Sequence, residues 1–278
     1  MLNLGFVAVE AFYGLVANSV ALLADAGHNL SDVLGLLLAW GAATLSKREP
    51  SAQFTFGLRR SSILSALFNA VFLLVAIGAI AFEAVQRLND PQPVAGATVM
   101  AVAAVGILVN GVTAWLFARG SKRDLNIRGA YLHMVADAAV SAGVVVSGLL
   151  ILQTGWLWLD PLTSLVVIAV ILFGTWGLLR RSVAMALDRV PEHIPPAEVI
   201  EALEALPGVT RVHDLHIWSL STTEVALTCH LVMPAGCPGD AFLRSIRDLL
   251  HHRFAIGHST IQVERDTIEQ CAPLPASR

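Results

Sequence analysis

The stretch ALLADAGHNLSDVLGLLLAWGAATL, residues 21–45, places ionisable side chains inside a run that is otherwise almost entirely apolar. His28 and Asp32 lie four positions apart in it. The same spacing returns at His133 and Asp137 in a second apolar run, YLHMVADAAVSAGVVV. Residues four apart share one face of a helix. Each run therefore predicts a membrane-length helix that carries a His and an Asp on one face.

The composition predicts an integral membrane protein with a smaller soluble part. The 278 residues are 55% hydrophobic and only 14% charged, and the mean hydropathy is +0.67. Soluble domains average about 25% charged residues. A net charge of −3 gives no reason to expect a nucleic-acid partner. The three cysteines form no CxxC pair and predict no disulfide framework, and no cleavable signal peptide is evident.

Six apolar segments are predicted to span the membrane as helices, since a bilayer needs about 20 residues per helix. They cover residues 2–17, 20–46, 61–88, 93–118, 126–153 and 160–180. The first segment is short, so further residues are expected before Met1. Lys and Arg concentrate in the loops after the second and fourth segments and behind the sixth. The positive-inside rule then places both termini in the cytoplasm, with the protein in the inner (plasma) membrane.

The chain changes character near Asp188. Up to this residue it has 11 Lys and Arg against 10 Asp and Glu, and from Arg189 onward it has 7 against 11. The predicted domains are a transmembrane domain (1–188), a cytoplasmic domain (189–270) and a tail (271–278). Apolar periodicity predicts helices at 196–206 and 240–254 and strands at 209–218, 223–232 and 259–265. This αββαβ order predicts a small α+β layer.

The two His–Asp pairs predict a metal site near the middle of the bilayer. An ionisable group there is costly without a partner and marks a functional site. Two imidazole nitrogens and two carboxylate oxygens suit tetrahedral Zn²⁺, followed by Cd²⁺ and Co²⁺, whereas Mg²⁺ and Ca²⁺ prefer all-oxygen shells. These ligands bind metal only when deprotonated, and His titrates near neutral pH. The set therefore predicts an exchange of metal for protons.

Structural roles are the alternative for these polar residues. Each His can hydrogen-bond a neighbouring helix, and each Asp can accept a hydrogen bond. Two pairs with the same spacing and a similar depth favour the metal site. Asp25 lies nearer the outer mouth, where a vestibule or capping role is expected rather than that of an extra ligand. Glu10 and Asn110 are interpreted as polar contacts within the bundle.

Five motifs resemble the cation diffusion facilitator family, in its zinc-transporting bacterial branch. They are SVALLADAGHNLSD, FTFGLRR, RGAYLHMVADAAVSAG, DLHIWSL and HSTIQVE, and they extend over nearly the whole chain. The resemblance implies a homodimeric zinc/proton antiporter with six helices and a metallochaperone-like (ferredoxin-like) cytoplasmic domain. The family's transport ligands fall on His28, Asp32, His133 and Asp137. Manganese-type members carry Asp in place of each His, so the His residues here favour zinc.

The resemblance also implies a zinc site in the cytoplasmic domain that regulates transport. The family's ligands there fall on His213, His230, His258 and Glu264, between the strands and near the dimer interface. His216 is a weaker candidate. Alternate residues of a strand share a face, so His213 and His216 are expected on opposite sides of the sheet. Surface histidines without a ligand role are the alternative for this set.

The chain departs from the family pattern at two places and keeps a third feature. Phe54 and Leu58 stand where some members carry His in the loop after the second helix, so no metal site is expected in this loop. Only Cys271 remains of the Cys-rich tail of many relatives, which argues against metal capture by the tail. Arg60 and Asp188 fit the positions of an ion pair at the dimer hinge; separate surface charges are the alternative.

The predicted function is export of Zn²⁺, with Cd²⁺ or Co²⁺ as further substrates, in exchange for protons by alternating access. No enzyme activity and no organic cofactor are expected. A membrane-bound metal sensor or a metalloenzyme is the alternative. An intramembrane metalloprotease would use an HExxH helix and an open ligand position, and the sequence contains no HExxH. The sequence alone does not exclude a sensor.

Overall fold

The computed structural model describes residues 2–46, 48–118 and 125–265. The described residues form a helical part and, after it, a small domain with a three-stranded sheet. The helical part contains α1 (Leu2–Val16), α2 (Val20–Ser46), α3 (Ser61–Asn89), α4 (Gly96–Ala118), α5 (Leu125–Thr154) and α6 (Leu159–Ala186). The small domain contains α7 (Pro196–Glu204), β1 (Arg211–Ser219), β2 (Val225–Val232), α8 (Asp240–Phe254) and β3 (His258–Glu264). The predicted tail, with Cys271, lies outside the described residues.

Four helices in the part of the chain that the structure describes are long and apolar enough to cross a membrane, which confirms a helical transmembrane part. They are α3, α4, the Tyr131–Thr154 portion of α5, and α6. Helix α1 has 15 residues and α2 has 27, but polar residues around His28 interrupt the apolar character of α2. Large apolar side chains point outward; Phe173 is 88% exposed and Trp115 is 71% exposed. Such a surface suits lipid.

Helix α2 packs between two apolar clusters of the helical part. Its Leu22 lies with α4 residues and with Val144 of α5, and its Ala24 lies with residues of α3 and α6. Helices α4 and α5 approach each other closely. A Cβ atom on Gly96 would lie only 3.0 Å from the carbonyl oxygen of Gly148. Small residues permit such close contact between membrane helices.

The chain divides into two compact units. One contains Met1–Leu38 and Phe68–Leu179, and the other contains Ala39–Leu67 and Arg180–Arg278. The second unit therefore joins the small domain to the last turns of α2, the first turns of α3 and the end of α6. The domain boundary expected near residue 188 falls inside this second unit, because the end of α6 belongs to the same compact unit as the small domain.

The sheet of the small domain has the strand order β1-β2-β3. Strand β1 pairs antiparallel with β2, and β2 pairs parallel with β3. A parallel pair needs a crossover connection, which contains α8. One face of the sheet packs against α7 and α8 around Leu203, Leu227 and Leu250, which are fully buried. The other face is left for polar side chains.

Two candidate metal centres

The two His–Asp pairs of the helical part converge on one point. His28 and Asp32 come from α2, His133 and Asp137 come from α5, and one ligand atom of each lies within 4.8 Å of the others. His28 Nε2 is 3.3 Å from Asp137 Oδ1 and 3.6 Å from Asp32 Oδ2. His133 Nε2 is 3.0 Å from Asp32 Oδ2 and 3.6 Å from Asp137 Oδ2. Each imidazole therefore faces one carboxylate on its own helix and one on the other.

These separations suit a tetrahedral zinc ion. With metal–ligand bonds of about 2.0–2.2 Å, two ligand atoms of a tetrahedral site lie about 3.4 Å apart. The four nitrogen–oxygen separations run from 3.0 to 3.6 Å and bracket this value, with Asp137 presenting Oδ1 to His28 and Oδ2 to His133. A hydrogen-bonded His–Asp network needs one carboxylate oxygen at each imidazole nitrogen, whereas each Nε2 here has two. All four side chains can therefore reach one ion with small movements.

The four side chains differ in exposure. The side chains of Asp137 and His28 are 4% and 16% exposed, whereas those of Asp32 and His133 are 35% and 42% exposed. The site is thus closed on the His28–Asp137 side and open along the edge formed by Asp32 and His133. An ion can approach from this open edge.

Asp25 does not join this set. Its side chain is completely buried, which does not suit the vestibule role expected for it, whereas the capping role stays a prediction. Ser141 Oγ of α5 donates a hydrogen bond to Asp25 Oδ2 over 3.0 Å. Glu10 of α1 is also completely buried and accepts a hydrogen bond of 3.0 Å from Asn29 Nδ2. Asn110 is buried on α4.

A second cluster lies on the outer face of the small domain's sheet. His213, His230 and Glu264 each offer one ligand atom within 4.8 Å of the other two. His213 Nε2 is 3.0 Å from Glu264 Oε2, and His230 Nδ1 is 3.0 Å from Glu264 Oε1. The register explains the convergence: His213 is opposite His230, and His230 is opposite Gln262, two residues before Glu264. Each strand therefore contributes one side chain to the same face.

The environment of Glu264 favours its charged form. Burial opposes ionisation of this carboxyl, but hydrogen bonds to His213 and Gln262 and the charge of His230 outweigh it. The pKa of Glu264 therefore lies below its usual value. An ionised carboxylate is the form that binds metal. By contrast, burial raises the pKa of the Cys229 thiol to about 12, and Cys229 lies in the apolar core rather than with the cluster.

A β-bulge corrects the expected orientation of His216. His213 is opposite His230 and His216 is opposite Thr228, so two residues of β1, Asp214 and Leu215, face one residue of β2. Asp214 has a φ of 51°, and Asp tolerates this left-handed conformation better than most residues. The extra residue puts His213 and His216 on the same face, so the prediction of opposite faces is wrong. His216 Nε2 lies 3.1 Å from Asp214 Oδ1 and stays outside the cluster.

His258 does not lie with the other three predicted ligands of the small domain. It is the first residue of β3 and is opposite Ala226, whereas Glu264 is the last residue of the strand. At about 3.3 Å per residue, six residues of strand separate the two by about 20 Å. Within one chain they therefore do not share an ion. The His258 ring contacts the Phe56 ring edge to face, with centroids 5.5 Å apart.

Two ion pairs fix the loop before α3 within its compact unit. Arg60 Nη2 lies 2.7 Å from Asp188 Oδ1, so these two residues are paired rather than separate surface charges. Arg59 Nη1 lies 3.1 Å from Glu224 Oε2, in the turn between β1 and β2. Sequence reasoning missed the second pair, because a Glu in a polar turn looks like any other solvated residue.

Two known protein families match the two parts of the chain. The family of cation efflux transmembrane domains matches residues 1–185, and the family of cation efflux protein cytoplasmic domains matches residues 191–266. A solved structure of the metal-bound C-terminal domain of the CzcD transporter from Cupriavidus metallidurans is 40% identical, covers 26% of this chain and 99% of that domain, and has a TM-score of 0.24.

Full-length relatives match almost end to end. A cadmium, cobalt and zinc/H⁺-K⁺ antiporter of Bacillus subtilis is 36% identical over 94% of this chain and 86% of its own length. The zinc transporter ZitB of Escherichia coli is 38% identical over 94% of this chain and 83% of its own length. The metal cation efflux system protein CzcD of Cupriavidus metallidurans is 35% identical over 95% of this chain and 84% of its own length. With both domains matched and apolar helices of membrane length, this chain is a multi-pass membrane protein that belongs to the cation diffusion facilitator family of cation efflux proteins.

Proposed function

We propose that this chain exports Zn²⁺ from the cytoplasm, with Cd²⁺ and Co²⁺ as further substrates, in exchange for protons. The observation that carries the proposal is the four-residue set of His28, Asp32, His133 and Asp137, whose nitrogen–oxygen separations suit tetrahedral zinc. Relatives named as zinc transporters and as a cadmium, cobalt and zinc/H⁺-K⁺ antiporter support the class of substrate.

The ligand chemistry explains the coupling to protons. Zn²⁺ binds neutral imidazole and ionised carboxylate, so protonation of these groups releases the metal. Where protons are more abundant outside, they displace Zn²⁺ there, and loss of protons to the cytoplasm regenerates the binding site. Two of the ligands lie on α2 and two on α5. A relative shift of these helices would therefore open or close the whole set, as alternating access requires.

The proposed topology has all six helices in the inner (plasma) membrane and both termini in the cytoplasm. The Lys and Arg residues of the loops support this orientation. The proposed domains are a transmembrane domain (1–188), a cytoplasmic domain (189–270) and a tail (271–278).

We further propose that the chain is a homodimer whose cytoplasmic domain, of the metallochaperone-like αββαβ type, binds regulatory Zn²⁺. His213, His230 and Glu264 provide two imidazoles and a carboxylate that favours its charged form, a donor set that suits zinc. Tetrahedral zinc needs a fourth ligand, which water or a second copy of the chain would supply. The Arg60–Asp188 pair would hold the hinge beside this domain.

Transport into everted membrane vesicles with an imposed pH gradient tests the proposal. We expect Zn²⁺ to accumulate in vesicles that contain the unmodified chain, and His28→Ala to abolish accumulation. The matched control is His193→Ala, which changes an exposed His between α6 and α7 that belongs to neither cluster. Zinc binding without accumulation would instead identify a sensor, and would overturn the transporter function.

A further inference from the structure

Two buried carboxyl groups lie next to each other beside the proposed zinc site. Glu10 of α1 and Asp25 of α2 are both completely buried. Asn29 lies one turn after Asp25 on the same face of α2 and reaches Glu10, so this face of α2 brings the two carboxyl groups together. Asn29 Nδ2 donates to Glu10 Oε2, and Ser141 Oγ donates to Asp25 Oδ2, each over 3.0 Å. Within the described part of the chain, no donor reaches Glu10 Oε1 or Asp25 Oδ1.

One shared proton would satisfy both of these oxygens. Two ionised carboxylates in contact repel each other strongly in a low-dielectric interior, and a buried acceptor without a donor is costly. Two adjacent carboxyl groups avoid both costs when they share a single proton. We propose that Glu10 and Asp25 form a proton-binding pair, separate from the four zinc ligands, through which protons are exchanged during transport.

The position of this acid pair links it to the zinc site. Asp25 precedes His28 by one turn of α2, and Ser141 follows Asp137 by one turn of α5. The two donors to the pair, Asn29 and Ser141, therefore lie on the two helices that carry the zinc ligands. The titratable groups that act on the acid pair are His28 of α2 and Asp137 of α5, and the buried residues that the structure describes on α4 include no titratable group.

The transport role of the acid pair rests on the proposed zinc/proton exchange. When α2 and α5 shift, they move the donors of the pair together with the zinc ligands. The protonated pair would then release one H⁺ to water on the cytoplasmic side, and its net charge would change from −1 to −2. A proton from the outer side would return the pair to −1. No other atom or electron is transferred.

Asp160 provides a matched comparison within the same helical part. It is also a buried carboxyl, 1% exposed. However, Ser19 Oγ donates to its Oδ1, and the backbone N–H of Val20 donates to its Oδ2 over 2.7 Å. With a donor on each oxygen, Asp160 needs no proton of its own. Burial alone therefore does not distinguish the acid pair from Asp160. The difference is that no donor among the described residues reaches Glu10 Oε1 or Asp25 Oδ1.

Infrared spectroscopy of the full chain in lipid tests whether the pair holds a proton. We expect the carbonyl stretching band of a protonated carboxylic acid at neutral pH, with an isotope shift in D₂O. Glu10→Gln and Asp25→Asn should each remove this band, and Asp160→Asn should retain it. A missing band in the unmodified chain, or a band that persists in Glu10→Gln, would overturn the proton-binding pair. If Asp25→Asn does not fold, the infrared spectra of the unmodified chain and of Glu10→Gln still decide whether the pair holds a proton.

Transport assays test whether the bound proton takes part in exchange. In Glu10→Gln vesicles, zinc uptake driven by a pH gradient should fall on the order of 10²-fold, the low end for loss of a positioned proton-transfer group. Exchange of Zn²⁺ for isotopic Zn²⁺, which moves no net proton, should continue. Loss of both activities would reduce the pair to a structural contact and overturn its coupling role. If the unmodified chain shows neither activity, the proposed transport function fails, whereas the infrared result still decides whether the pair holds a proton.

Discussion

The two candidate metal centres of this chain are built in opposite ways. In the helical part, two helices each contribute a His and an Asp four residues apart, and one ligand atom of each side chain lies within 4.8 Å of the others. In the small domain, three strands each contribute one side chain, and the set stops at three. The first set is complete within one chain. The second leaves room for another ligand, which is what a site that senses zinc or responds to a partner needs.

The difference also concerns exposure. Asp137 in the membrane set is almost completely buried, so its charge has no water to compensate it when the metal leaves. The side chains of His213, His230 and Glu264 in the small domain are more evenly buried, at 14%, 19% and 7% exposed. We therefore expect the largest effect from a change of charge at Asp137, which lies among apolar helices.

Asp137→Asn should produce the largest effect. The substitution keeps the size of the side chain but removes the charge of the most buried ligand. Zinc affinity of the membrane site and pH-driven uptake should both fall on the order of 10²-fold or more. Equilibrium zinc binding and vesicle uptake measure the two effects. Asp90→Asn, at an exposed position after α3, is the control. Equal zinc uptake by the Asp137→Asn and Asp90→Asn variants would contradict the importance of the buried charge of Asp137.

His133→Asp should change the selectivity of the membrane site. The substitution replaces an imidazole at the open edge with a carboxylate, which suits harder cations such as Mn²⁺. The ratio of Zn²⁺ to Mn²⁺ uptake should fall about tenfold or more. Competition uptake assays with both metals measure this ratio. An unchanged ratio would mean that His133 is structural.

Glu264→Gln should weaken zinc binding in the small domain by roughly 10- to 100-fold while leaving the four membrane ligands intact. Zinc titration is cleanest in a background that carries Asp137→Asn, where the membrane site is expected to bind zinc much more weakly. His258→Gln is the matched control, because His258 lies at the far end of β3. Equal weakening by both substitutions would return His258 to the ligand set.

The low pKa of Glu264 predicts a pH effect on the metal-free small domain. Its folded-state pKa lies below the ordinary value of 4.5, so the ionised carboxylate stabilises the folded state above that value. This contribution is lost as the pH falls through the folded-state pKa. Hydrogen exchange of β2 amides, compared between the unmodified chain and Glu264→Gln at each pH, isolates the effect. We expect the difference in protection at neutral pH to vanish in acid; a difference that grows in acid would contradict it.

The Arg60–Asp188 pair should give the smallest effect. Both side chains are about half exposed, and exposed ion pairs contribute only about 0.2–1 kcal/mol, further reduced by salt. A double-mutant cycle with Arg60→Ala and Asp188→Asn measures the coupling; Asn suits the positive φ of residue 188. A coupling well above this range would show that the hinge, rather than either metal centre, dominates stability.

The sequence predicted most of the helical part because its signals are local. A His and an Asp four residues apart lie on one face of a helix, and this can be predicted without knowledge of any other segment. The sheet site was less predictable, because its geometry depends on which strands are neighbours and on their register. His258 has the correct residue type and the correct face of β3, but it lies at the wrong end. The bulge at Asp214 leaves no clear local mark, since Asp and Leu also occur in regular strands.

Contacts between segments that are distant in sequence could not be predicted either. The sequence predicts a polar contact for Glu10 within the bundle, but nothing in the sequence indicates that Glu10 meets Asp25. Burial of Asp25 could not be read from its place near the start of α2, because the neighbouring helices that cover it are distant in sequence.

The extra residue in β1 lets the strand keep its apolar side chains in the core. Val212, Leu215 and Ile217 all point into the core, and His213 points out. With Asp214 in regular alternation, Leu215 would turn to the face of His213, since a shift of one residue turns side chains to the opposite face. Deletion of Asp214 would instead give a regular strand that still has Val212, Leu215 and Ile217 inside and His213 and His216 outside. The face of the sheet that carries His213, His230 and Glu264 can thus survive a single-codon deletion within its own strand.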